Sequence, residues 1–224
     1  MIRLIAFSLL LLPFFCFGQQ PNIPRFLVKD QDFGSWTKAE LIYDASKKLD
    51  LSARYEIRTD ENSANLKQMF SQLSAKLDIN KNFKTSFAWR SKVVNKEYVN
   101  EIQNRFHIDL TYRLKLGDLL FYSRIRSQYC IITNDLNEFY ERFRLKVAYK
   151  INKKIRPFVY DELYFSVNNP NGPLFNKNRF GVGLDYKINK SINLDLKYLR
   201  IKDVNVAYPQ IMNVVGLGLT YKLN

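Results

Sequence analysis

Cysteine is nearly absent from this sequence. Of two in 224 residues, Cys16 lies in the opening apolar stretch and Cys130 stands alone beyond it. A mature chain therefore has no intramolecular disulfide, even in an oxidising compartment. Histidine is scarcer still, His107 being the sole one, so any Ser–His–acid machinery must include it. There is no metal-ligand cluster, phosphate-cradling glycine loop or nucleophile elbow, and no cofactor is expected. After Gly18 no apolar run reaches the ~20 residues of a membrane-crossing helix. No segment sustains a 3.6-residue period. Acid is also in deficit: 35 Lys and Arg face 21 Asp and Glu, a formal charge of +14. Such a balance suits nucleic acid, anionic lipid or an anionic solute.

The first residues choose among these. MIRLIAFSLLLLPFFCFGQQ has one arginine, an apolar run from Leu4 to Phe17, then Gly18 and a polar start. That is the pattern of a secretory leader over 1–18, cleaved after Gly18, with one domain over 19–224. Cys16 invites lipidation, but Pro13, Phe14 and Phe15 are bulky where a lipoprotein leader wants small residues. An exported chain rarely meets nucleic acid, so lipid and anionic solutes lead as partners.

What the sequence has in abundance is alternation. In KLDLSARYEIR, Leu49, Leu51, Ala53, Tyr55 and Ile57 alternate with charged and polar residues. That is the two-residue period of a strand with unlike faces. It recurs in FKTSFAWRSK, IQNRFHIDLTYRL, FYERFRLKVAY and RFGVGLDYK. Strands are expected at 36–44, 48–58, 66–79, 83–92, 101–114, 119–130, 138–149, 155–166, 178–187, 191–200 and 213–223. Short turns and longer polar loops alternate between them. The phrase YKINK, written at Tyr149 and Tyr186 and echoed in the terminal YKLN, marks a strand end and its wet turn. Tyr43, Tyr112, Tyr149, Tyr186 and Tyr221 then form an aromatic girdle at a membrane–water boundary.

These features describe an all-β, antiparallel transmembrane β-barrel with short periplasmic turns and longer extracellular loops. Single-chain bacterial barrels carry an even number of strands. A twelfth strand is therefore expected near Pro24–Lys29, closing onto 213–223, with ten strands as the fallback. A soluble β-sandwich or lipocalin-like barrel also alternates, with its apolar set inward. Strand length, end-placed aromatics and a terminal strand bearing Gly218, Tyr221 and Leu223 favour the membrane form. Lipid, lipopolysaccharide and the barrel assembly machinery are the expected partners.

Three segments, NRFHIDLTYRLKLGDLLFYSRIR, FYERFRLKVAYKINKKIRPFVYDELYF and KNRFGVGLDYKINKSINLDLKYLR, together resemble a domain-of-unknown-function family of Gram-negative exported proteins. Its marks are Trp36 in the first strand, Arg-x-Arg strands, the Pro157–Glu162 strand and the Asn178–Arg179 strand. The resemblance implies an outer-membrane barrel and brings no activity with it.

With the apolar face outward, the lumen collects an electrostatic network of Arg105, Arg124, Arg126, Arg142, Arg144, Arg179 and Glu162. Glu162 lies between Tyr160 and Tyr164 on one face, with arginines on the adjoining strands. Such a network either plugs a small bore or forms an anion-permissive constriction. Two alternatives stand beside the pore: a surface barrel that binds through long loops, and a lipid hydrolase built on His107 with Ser86 and Asp109.

Overall fold

The computed structural model describes residues 31–95, 100–133, 135–168, 172 and 174–223. Within them eleven strands follow one another: β1 (Asp32–Asp44), β2 (Leu49–Asp60), β3 (Asn65–Asp78), β4 (Phe83–Asn95), β5 (Asn100–Leu116), β6 (Leu119–Ile132), β7 (Glu138–Tyr149), β8 (Ile155–Ser166), β9 (Phe175–Lys187), β10 (Ile192–Asp203) and β11 (Ile211–Leu223). Each pairs antiparallel with the next, and β1 pairs with β11 to close a barrel.

The closure corrects the expected count. β1 and β11 run parallel, in register from Asp32↔Met212 to Tyr43↔Leu223. An odd number of up-and-down strands leaves first and last pointing the same way, so the closing ladder must be parallel. The ring among the described residues is thus neither twelve-stranded nor ten-stranded. The expected strand at Pro24–Lys29 lies outside the described residues, and the edge of β11 assigned to it is occupied by β1. Parallel pairing has slanted bonds and is slightly weaker per residue.

The strands also run farther than the alternation. β1 begins at Asp32 rather than near 36, tied to its neighbour from the side: the Asp32 carboxylate accepts from the Glu61 and Asn62 amides at 3.2 and 3.3 Å. The Ser35 amide donates to Thr59 Oγ1 at 2.9 Å. Extension shortens the loops. Segments 61–64, 96–99 and 133–137 are about as short as the turns opposite them, and only 167–174 and 204–210 keep the length expected of a loop.

The repeated phrase has a mechanical basis. In three turns the sequence reads Ile-Asn-Lys, at 79–81, 151–153 and 188–190. Each time the Asn Oδ1 accepts two amides ahead of it: from Asn82 and Phe83 at 2.9 Å, from Lys154 and Ile155 at 2.7 and 2.9 Å, and from Ser191 and Ile192 at 2.8 Å. This is the Asx-turn that makes Asn a turn residue. At the tightest turn Gly117 supplies the positive φ of 62° that a two-residue hairpin loop requires.

Alternation turns one face of every strand outward. Leu73, Phe87, Ile108 and Leu217 expose over half their surface, whereas Glu162 exposes 1 %. Nearly half of the buried set is polar or charged, with Glu56, Arg90, Arg124, Arg142 and Gln128 among it. Two small apolar clusters sit inside, Trp36 with Leu199 and Val214, and Leu120 with Ala148 and Phe158.

Gly34 faces inward where the β2–β3 pairing slips between Arg58 and Thr59. A Cβ there would meet the Thr59 carbonyl oxygen and, at 2.6 Å, the Met212 methyl. Backbone oxygen cannot swing aside as a side chain can. Gly34→Ala is expected to cost about 1–3 kcal/mol, read as a lower urea midpoint for the refolded chain. An unchanged midpoint would mean that this part of the barrel is soft.

Candidate functional site, an arginine belt inside the barrel

The site begins as a conflict of like charges. Inward positions of β6 and β7 place Arg124 opposite Arg144 and Arg126 opposite Arg142. Like charges directly across a ladder repel, so acids from the flanking strands must answer them. Glu162 on β8 does so from one side. Its carboxylate accepts from Arg142 Nη2 at 2.7 Å, from Arg179 Nη1 at 3.4 Å and from Arg124 Nη2. Tyr164 donates its hydroxyl to the same carboxylate at 3.3 Å. Asp109 on β5 answers from the other side, gripped by Arg126 through two bonds of 2.6 and 2.7 Å. Arg124 Nη1 also lies 3.6 Å from Asp109. Gln128 Oε1 accepts from Arg142 Nη1 at 3.1 Å.

Aromatic rings carry the belt onward. Arg142 lies 4.1 Å over the Tyr164 ring. Arg179 lies 5.1 Å from the centres of both Tyr164 and Trp36. Arg58 covers the other approach to Trp36 at 3.7 Å and donates to Glu56 at 2.7 Å. Phe70 takes Arg58 at 5.1 Å and Arg90 at 3.5 Å, and Arg90 donates to Gln72 Oε1 at 3.0 and 2.6 Å. Arg90 then stands opposite Arg105 on β5, the strand that carries Asp109. The contacts thus run from Asp109 round the lumen to Arg90, and only strand adjacency spans the remaining step to Arg105. A guanidinium stacks on a ring while its edge still donates, which lets few acids hold many arginines.

Of the residues expected to form the network, the structure brings Arg124, Arg142, Arg179 and Glu162 into one contact set. Arg126 joins that set through Asp109, which Arg124 also approaches. Arg144 pairs with no carboxylate among the described residues and lies 5.5 Å from the Tyr160 ring centre. Arg105 makes no hydrogen bond or ion pair among the described residues. Arg144 is the direct cross-strand neighbour of Glu162, yet it is not the ion-pair partner. Trp36 and Phe70, which join the two halves of the belt, escaped the sequence reading as lumen residues. Phe70 shares its face with Gln68 and Gln72, and that two-residue spacing was the available signal.

The five tyrosines, Tyr43, Tyr112, Tyr149, Tyr186 and Tyr221, all point outward and are exposed. They lie near the turn-side ends of β1, β5, β7, β9 and β11. His107 is buried at 3 % exposure. Its direct neighbours are Ala88 and Gln128, while Ser86 stands opposite Asp109. Among the described residues no serine hydrogen-bonds to His107, and Asp109 is engaged by Arg126. This arrangement offers the histidine no nucleophile.

The family described as "Protein of unknown function (DUF2490)" matches residues 33–208. No curated protein matches the chain. The fold is similar to that of the NanC porin, with a TM-score of 0.52 and 13 % identity over 86 % of this chain and 99 % of the porin. Two autotransporter barrels are more distant. The translocator domain of NalP from Neisseria meningitidis has a TM-score of 0.40 and 12 % identity, over 70 % of this chain and 69 % of that one. The β domain of Bordetella BrkA has 0.47 and 10 %, over 75 % and 89 %.

Proposed function

The chain belongs to the DUF2490 family, and for it we propose an outer-membrane β-barrel whose arginine-constricted lumen favours small anions over cations. The membrane setting is supported by the inversion of faces: apolar side chains are bare and charged ones are buried. A monomer in water rarely exposes an apolar patch beyond a few hundred Å², and here such residues girdle the barrel. Every strand has the ~9–11 residues that a tilted crossing needs. In this setting the Asn turns are periplasmic, the opposite loops face outward, and the tyrosine row lies at the inner interface. Export uses the leader over 1–18. Lipid and lipopolysaccharide surround the barrel, and the assembly machinery inserts it.

One observation carries the anion reading: in the belt the arginines far outnumber their acids, Glu56, Asp109 and Glu162. A ring of fixed cations lowers the barrier for anions and raises it for cations. In planar bilayers under a salt gradient, the refolded protein is expected to reverse on the anion side. The double variant Arg124→Gln/Arg144→Gln should move that potential toward zero, and unchanged selectivity would reject the lumen's role. The near-complete burial of Glu162 and Phe70, at 1 % and 2 % exposure, favours a second reading: a belt closed as a plug, with loops 167–174 and 204–210 as the contact surface. A closed plug gives no conductance steps.

A further inference from the structure

We propose that Arg105, with Arg90, Lys92 and His107, forms an oxyanion seat on the β4–β5 wall of the lumen, for the phosphate or carboxylate group of a small solute. It rests on the reading of the lumen as an anion compartment and names the point where the anion stops.

Three successive inward rungs build the seat: Lys92 opposite Gln103, Arg90 opposite Arg105, and Ala88 opposite His107. Each other arginine of the belt has an acceptor or a ring. Arg58 has Glu56, Arg126 has Asp109, Arg90 has Gln72, and Arg144 lies over Tyr160. Arg105 has neither among the described residues. Its Nε is buried without a partner, and so is His107 Nδ1, two residues along the same face. Other arginines also leave Nε unpaired, but their guanidinium groups are held through the remaining nitrogens.

Nearby acids are committed elsewhere. Asp109 is taken by Arg126. Glu138 stands beyond Cys130 in the same row, accepts from the Tyr140 hydroxyl at 3.4 Å and offsets part of the Lys92 charge, but makes no ion pair with Arg105 among the described residues. Glu101 accepts from Gln103. Across the other ladder the residue opposite Arg105 is Cys130. Two guanidinium groups face to face with a lysine on the next rung repel unless an anion lies between them. A guanidinium edge binds carboxylate or phosphate through two parallel N–H···O bonds. His107 Nδ1, protonated there, would add a third donor. Ala88 across from the imidazole carries only a methyl group, which leaves that side of the seat unencumbered by a long side chain.

The test is equilibrium dialysis of the detergent-refolded mature chain against labelled inorganic phosphate and, separately, labelled malonate. The wild type should retain one or both. Arg105→Gln should weaken retention at least tenfold, and His107→Ala severalfold. Arg200→Gln, at an outward-facing arginine, should leave it unchanged. Retention of phosphate alone or malonate alone identifies the group while supporting the seat. No retention of either by folded wild type, or equal retention by Arg105→Gln, overturns it. An anion-side reversal potential without retention sinks the seat and leaves the pore. Retention without conductance keeps the seat and removes the pore.

Discussion

Glu162→Gln should destabilise the barrel by about 3–5 kcal/mol, the range for removing one partner of a buried ion pair. One carboxylate serves Arg124, Arg142 and Arg179, and among the described residues no other carboxylate pairs with Arg142 or Arg179. The amide keeps the shape and one acceptor oxygen, so the loss reports charge rather than packing. Urea unfolding in detergent measures it. A double-mutant cycle with Arg142→Gln should return a coupling of about 1–3 kcal/mol. The size of the effect also reports on the lumen. Water and salt around the pair would screen it to about 1 kcal/mol or less. A small loss would therefore describe a wet, open constriction, and a large loss a dry one.

The second large effect lies on the opposite face. Ile108 is midway along β5, opposite Phe87 and Ser127, and is 54 % exposed. In water, Ile108→Arg would change stability by no more than about 0.5 kcal/mol. In hydrocarbon at the bilayer midplane the same change costs about 2–4 kcal/mol. Leu223→Arg, at the turn-side end of β11, should cost only about 0–1 kcal/mol, because depth governs the penalty. Unfolding of the two variants in lipid vesicles gives the comparison. Equal, small losses would remove the membrane from the account. With these residues outward, only a soluble assembly that covers them would be left.

Much of the fold was legible because a single period runs through the chain. The alternation in FYERFRLKVAY and its successor placed β7 and β8 at 138–149 and 155–166, where they are found. β1 was harder: Asp-Phe-Gly-Ser has no clean alternation, and its extension comes from Asp32 and Thr59, contacts made only after folding. Parity, a rule about other barrels, predicts an even strand number, whereas closure is settled by whether β1 and β11 can pair.

Within the belt, spacing put Glu162 on a common face with Tyr160 and Tyr164. It could not say which arginine would reach the carboxylate. Arg144 is adjacent along the ladder, yet Arg124 and Arg142 make the closer pairs, because long guanidinium side chains cross diagonals that a register of Cα atoms does not encode. Assigning apolar residues to the outer face hid Trp36 and Phe70. Rings satisfied by cations are at home in a charged interior, and a two-letter pattern has no symbol for them.

The parallel seam has an inherited consequence. Copying or losing a whole hairpin would leave every other strand's direction untouched. Each such event alters the ring by two, so ancestors and descendants reached in this way keep the same head-to-head closure. Escape requires gain or loss of a lone strand, and that moves one terminus to the far side of the bilayer. The direction of the final ladder would therefore survive any series of hairpin gains and losses.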